Sequence, residues 1–216
     1  RNDLEAPPKI NLNTIMQFIS RPSWCLNMMT AKKLNFGNIM GHVTNVTNLA
    51  SLASWTADQF DPTLTWEDIA WIKDRWKGKL ILKGIMDSED AMLAVKAGAD
   101  AIIISNHGGR QLDGAPSTIS VLPEIVDAVN SKIEVHFDGG IRSGQDVLKA
   151  LALGADCIHI GRPYVYGLGA KGQEGVEIAI EIIKKELDLT MAMCGETNIL
   201  NVGLHNLHHN PFKIIN

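Results

Sequence analysis

Hydrophobic positions are scattered through residues 1–78 and become strictly ordered from residue 79 onward. Four short apolar runs, at 80–82, 100–105, 133–137 and 156–160, read as buried strands. Helical segments separate them. Asp87 is placed as the cap of one helix, with Asp90 at its third position and Gly98 at its close. Ser117 opens another, with Val121, Ile125 and Val129 on one face. Ser143 caps a third, with Asp146 at the third position and Gly154 at the end. A final helix is expected over 163–186, beginning with Pro163 at a favoured first-turn position.

The ordered block contains an internal repeat. Asp87-Ser88-Glu89-Asp90 and Ala97-Gly98-Ala99-Asp100 recur as Ser143-Gly144-Gln145-Asp146 and Leu153-Gly154-Ala155-Asp156. Each repeat is strand–helix–strand–helix, which predicts a parallel sheet with right-handed crossovers. The fold class is therefore α/β, and the two repeats supply four of the eight strands of a (β/α)8 barrel.

The organisation expected is a connecting segment over 1–78, a half-barrel over 79–200 and a tail over 201–216. Within the first, a short helix is expected at 11–20, with Pro22 as an interruption. Residues 23–60 hold Trp24, Met28, Met29, Met40, Trp55 and Phe60 among polar residues. That segment reads either as an excursion packed by its own aromatics or as a surface that meets a partner or membrane. Thr65 with Asp68 forms an approximate capping box before Ile69, Ile72 and Trp76, and Gly78 is expected to end that helix.

Composition narrows the class. A net charge of −4 gives no electrostatic reason to expect nucleic acid as a partner. No apolar run approaches the ~18 residues of a membrane span. Cys25, Cys157 and Cys194 lack metal-ligand spacing and are odd in number, which fits free thiols in a reducing compartment. The chain starts at Arg1, and no signal peptide is expected.

The chemistry collects where the strands end. After 101–104 come Ser105, His107, Gly108, Gly109 and Arg110, which put a proton acceptor and a bidentate carboxylate clamp on one glycine-rich loop. Lys83 ends the first strand, Asp138-Gly139-Gly140-Ile141-Arg142 the third and Gly161-Arg162 the fourth. Glycine joined to arginine just before a helix, twice over, is an anion site suited to phosphate. Lys83 reads either as a snorkelling lysine or as a cation facing a cofactor ring. Asp138 reads as a helix cap or as an acceptor for a ligand hydroxyl.

With these motifs the sequence over 61–200 resembles the FMN-dependent L-2-hydroxy-acid dehydrogenases and oxidases. The resemblance rests on Lys83-Gly84, the run from Ser105 to Asp113, Asp138 to Arg142, and Gly161-Arg162. Phe60-Asp61-Pro62, Trp66 and Trp76 look most like bacterial respiratory L-lactate dehydrogenases. The resemblance implies the C-terminal half of a (β/α)8 barrel, with FMN as cofactor and a 2-hydroxy acid as substrate. It makes His107 the catalytic base and Arg110 the substrate-carboxylate ligand. Lys83 and Ser105 would meet the flavin ring and Asp138 the ribityl chain. Gly139, Gly140, Ile141, Arg142, Gly161 and Arg162 would surround the phosphate. No metal is expected.

As partners it implies a respiratory electron acceptor, a homo-oligomer, and an N-terminal half-barrel carrying four further strands ahead of Arg1. It places the protein in the cytoplasm, with peripheral contact to the inner membrane through residues 1–60. His205, His208 and His209 lie beyond the resemblance, in a stretch that reads as a solvated tail, with metal binding by the histidines as the alternative. Three other readings compete: an oxygen-using oxidase, an inactive half-barrel that needs its other half, and a flavin-free phosphate-binding isomerase barrel.

Overall fold

The computed structural model describes residues 11–30, 51, 55, 58, 59 and 61–208. Met40 and Phe60 lie outside the described residues, as does His209. Contacts divide the chain into two units, 1–64 and 65–216.

In the first unit, α1 (Leu12–Ile19) starts at Asn11, whose side chain accepts from the Thr14 amide at 2.9 Å. Pro22 begins a second helix, α2 (Pro22–Thr30), instead of merely interrupting the chain. Its missing N–H costs nothing in a first turn. Phe18 and Trp24 stack with their centroids 5.6 Å apart. No residue of α1 or α2 is buried. Leu12, Ile15, Met16 and Ile19 recur at helical spacing and all lie exposed, so α1 carries an uncovered apolar stripe.

The second unit begins with α3 (Trp66–Arg75), which therefore falls with the βα repeats rather than with the segment before residue 78. The expected capping box forms, with the Thr65 amide donating to Asp68 at 2.7 Å. The helix stops before Gly78, because Trp76 turns extended and its indole N–H donates to the Lys79 carbonyl at 2.9 Å. Then follow β1 (Ile81–Ile85), α4 (Ser88–Lys96), β2 (Ala101–Ile104), α5 (Thr118–Val129), β3 (Glu134–Asp138), α6 (Gly144–Ala152) and β4 (Cys157–His159). The four strands are parallel and lie side by side in chain order. β1 runs through Gly84 to Ile85 by shifting register between Lys83 and Ile85, so it extends past the expected end.

One face of the sheet packs under the helices. Ile102, Ile104, Val135 and Phe137 join Leu122, Ile125, Val129 and Val147 in a continuous core. Residues alternating with them, among them Lys83, Ser105, His136 and Asp138, belong to the opposite face.

The repeated aspartates do the same work twice. Asp100 accepts from the Leu80 amide at 2.9 Å, and Asp156 accepts from the Val135 amide at 2.8 Å. Each ties a strand to the start of its neighbour. Asp100 also takes Lys73 at 2.5 Å and Lys79 at 2.9 Å, which join α3 to the sheet. Hydrogen bonds from Lys73, the Leu80 amide and Lys79 hold its carboxyl far below the ordinary 3.8. The contribution of a carboxylate with a depressed folded pKa is complete above its unfolded value and is lost as pH falls toward the folded one. Unfolding midpoints in denaturant should therefore drop between roughly pH 4 and pH 2. Asp100→Asn should start lower at neutral pH and lose less over that interval, and parallel curves would rule the anchor out.

The long final helix expected over 163–186 is two helices, α7 (Arg162–Lys171) and α8 (Gln173–Met193). Gly172 separates them at φ 63°, ψ −138°, a conformation open to glycine and to few other residues. The two then cross so closely that a Cβ on Gly175 would stand 1.9 Å from the Gly167 carbonyl oxygen. Two short 3-10 turns follow, Ile199–Asn201 and Leu204–Asn206, and His205 and Asn206 of the second bond Glu196 at 2.7 and 3.0 Å.

Candidate functional site

Three strand ends converge on one hydrogen-bonded cluster. Lys83 Nζ of β1 lies 2.6 Å from both Ser105 Oγ and Asp138 Oδ2, and Ser105 Oγ donates to Asp138 at 2.7 Å. The bulge at Gly84 and the parallel register bring these side chains to the same level. Burial alone would raise the Asp138 carboxyl, but the hydrogen bonds from Lys83 and Ser105, with the charge on Lys83, outweigh it and hold the pKa below the ordinary value. The cluster is thus a cation and an anion bridged by a hydroxyl that is 1% exposed.

Above it opens a cleft of about 410 Å³. Lys83, His107, Arg110 and Asp138 line it together with Gly139, Gly140, Ile141, Arg142, Gly161 and Arg162. Every site residue expected from the sequence is therefore on the cleft wall except Ser105, which stands beneath as the bridge between Lys83 and Asp138.

His107 sits in a short 3-10 turn at φ 57°, unusual for a side chain with a Cβ. The Ser105 hydroxyl accepts its amide at 3.1 Å, and the Asn106 carboxamide caps Gly109 at 3.2 Å while bonding the Pro116 carbonyl. These local bonds fix the turn and leave the imidazole exposed on the cleft side. Arg162 Nη2 donates to the Gly108 carbonyl at 2.9 Å, tying the loop after β2 to the start of α7.

At Gly140 and Gly161 nothing lies within 4 Å of where a Cβ would stand, so a ligand can approach their backbone directly. Arg142 and Arg162 are exposed beside them, and α7 begins there with its positive end. Open backbone, two guanidiniums and a helix start fit the phosphate of a mononucleotide. Gly139 is close-packed instead, since a Cβ there would meet Thr118 Oγ1 at 2.5 Å.

The sequence reading missed His159, Val165 and Tyr166, which also line the cleft. It also missed His136, whose Nδ1 lies 3.1 Å from His159 Nε2. The signal was present as period-two alternation: His136 and Asp138 share a face of β3, and His159 pairs in register with Asp138. Burial lowers the His159 pKa, with His136 and Lys83 adding to the effect against the pull of Asp138.

The model of the FMN-dependent dehydrogenase family matches residues 1–209. The chain is 41% identical over 201 residues to an L-lactate dehydrogenase of Vibrio cholerae serotype O1, covering 93% of this chain and 53% of that protein. It is 42% identical over 205 residues to an L-lactate dehydrogenase of Stenotrophomonas maltophilia, covering 94% and 54%. The chain thus spans about half the length of the curated relatives it matches.

Among solved structures, the monotopic membrane protein (S)-mandelate dehydrogenase superposes with a TM-score of 0.88 at 33% identity, over 95% of this chain and 54% of that one. A mandelate oxidase gives 0.67 at 46% identity, over 72% and 45%. The chain belongs to the FMN-dependent dehydrogenase family, and its four parallel βα units are part of a (β/α)8 barrel.

Proposed function

We propose that this chain supplies the base, the carboxylate clamp and the phosphate cradle of an FMN-dependent L-2-hydroxy-acid dehydrogenase, with L-lactate as substrate and a respiratory carrier as electron acceptor. The observation that carries the reading is that His107, Arg110 and Lys83 share one cleft with the open glycine–arginine cradle. Bound there, FMN would take the electron pair released when the hydroxy acid becomes the keto acid. Arg110 holds the substrate carboxylate through two parallel N–H groups. His107 Nε2 or Nδ1 accepts the proton. Lys83 presents a cation to the ring edge, Asp138 accepts from ribityl hydroxyls, and Arg142 and Arg162 neutralise the phosphate.

Lactate is favoured because the curated relatives aligned over most of the chain are L-lactate dehydrogenases. The test is anaerobic mixing of the yellow protein, in a complete barrel, with L-lactate and with L-mandelate. Bleaching by lactate followed by recovery with a quinone analogue supports the reading. Bleaching only by mandelate replaces the substrate. Recovery by oxygen but not by quinone turns the protein into an oxidase, and no bleaching leaves the inactive half-barrel.

The exposed stripe on α1, with Trp24, Met28 and Met29 exposed on α2, favours peripheral docking to the cytoplasmic face of a membrane. Among the described residues, no helix is long and apolar enough to cross a bilayer. Burying one such side chain is worth about 1.5 kcal/mol, so Ile15→Ser with Ile19→Ser should weaken vesicle co-sedimentation by roughly 100-fold. Unchanged sedimentation would remove the membrane from the proposal.

A further inference from the structure

We propose that His136, Cys157 and His159 form a metal site on the face of the sheet opposite the helices, the inward face of the barrel, suited to zinc(II) or another divalent ion with nitrogen and sulfur preference. One ligand atom from each residue lies within 4.8 Å of the other two. The site follows from register. His136 pairs with Cys157 and Asp138 pairs with His159 across β3 and β4, so the three donors project from neighbouring positions of adjacent strands. They need no loop to bring them together.

The spacing of the two imidazoles suits a small tetrahedral ion, and Cys157 Sγ lies within 4.8 Å of a ring nitrogen of each. Zinc–nitrogen bonds of ~2.0–2.1 Å and a zinc–sulfur bond of ~2.3 Å set edges of roughly 3.3 Å between two nitrogens and roughly 3.6 Å between nitrogen and sulfur. His136 Nδ1 and His159 Nε2 are already 3.1 Å apart. The outer partner is also in place, because the other nitrogen of His136, Nε2, lies 3.0 Å from Glu134 Oε2. A carboxylate behind a ligating imidazole fixes its tautomer and turns the other nitrogen toward the ion. His136 is buried, and His159 lines the cleft at the strand ends, so the ion would enter from the cleft and keep a fourth position for water there. On binding, Cys157 releases its thiol proton to solvent and His159 carries its ring proton on Nδ1. No oxidation state changes.

A hydrogen bond between the two imidazoles accounts for their contact alone, and in that case sulfur has no part. The test therefore reads sulfur. The full chain carrying Cys25→Ser and Cys194→Ser, which removes the other thiols, is loaded with one equivalent of zinc under reducing conditions and dialysed. Zinc-edge X-ray absorption reports the ligand shell whether or not flavin is bound, so its failure is distinct from a failure of the flavin reading.

One zinc per chain with one sulfur at about 2.3 Å and nitrogens at about 2.0–2.1 Å is the expected result. Glu134→Gln should weaken zinc by roughly 10- to 100-fold and keep the sulfur, while Cys157→Ser should weaken it further and remove the sulfur. Loss of zinc on dialysis of the parent, a shell without sulfur, or equal affinity in Cys157→Ser each overturns the site. A sulfur-free shell is also what zinc held by His205 and His208 would give. If Cys157→Ser fails to fold, the sulfur shell of the parent decides.

Discussion

Replacing His107 with glutamine should slow reduction of the bound flavin by at least ~10²–10⁴-fold, the usual contribution of a positioned general base. Glutamine keeps much of the imidazole's size and a hydrogen-bonding end but does not accept a proton near neutral pH. Flavin should stay bound in this variant, because the phosphate cradle proposed at Gly140, Arg142, Gly161 and Arg162 does not include His107. The turn should also hold, since its bonds come from Ser105, Asn106 and the backbone rather than from the imidazole. Stopped-flow reduction by an L-2-hydroxy acid, in a complete barrel, is the measurement. A rate within tenfold of the parent would remove His107 as the base and with it the reading of the loop after β2.

The second large effect is on stability. A Cβ on Gly144 would stand 1.9 Å from the Leu187 amide nitrogen and 2.3 Å from the Glu186 carbonyl carbon, so α6 starts in backbone contact with α8. The Gly144 amide also donates to Glu186 Oε2 at 3.0 Å. Backbone cannot rotate aside as a side chain can. Gly144→Ala should therefore cost about 3 kcal/mol, the upper end of ordinary overpacking. For a chain of this size that lowers the melting temperature by roughly 6–12 °C. Gly169 is the control: it lies within α7 with nothing within 4 Å of its Cβ position. Gly169→Ala should be neutral or gain up to about 1 kcal/mol from helix propensity. If both variants melt together, the close approach of α6 and α8 is not what constrains position 144.

Position 144 also marks the limit of what the sequence made legible. The repeat aligns Gly144 with Ser88, each at the first position of its helix, and nothing in the pattern distinguishes them. Only the return of α8 across α6 makes one of them glycine, and a contact between residues 42 apart leaves no local periodicity. The strands, caps and paired aspartates were legible because each is local: alternation, a capping box, a turn residue. The break at Gly172 was not, since a lone glycine within a helical pattern is ordinarily tolerated. His107, Arg110 and the glycine–arginine ends were legible because loop chemistry is written in consecutive residues. His136 and His159 were passed over because each looked like a single polar residue in a buried strand, and their meaning depends on the register between strands.

The arrangement of Lys83, Ser105 and Asp138 sets a rule for whatever enters the cleft. The lysine is not idle before a ligand arrives; it already holds a carboxylate at 2.6 Å. Two of its three N–H groups go to Ser105 and Asp138, which leaves a third to meet a ligand without breaking that pair. A simple anion drawn to Lys83 also meets the charge of Asp138, which offsets part of the attraction. A molecule that brings an electron-rich edge for Lys83 and a hydroxyl for Asp138 meets both groups at once. The strand ends thus favour ligands that are acceptor and donor together over simple anions of the same charge.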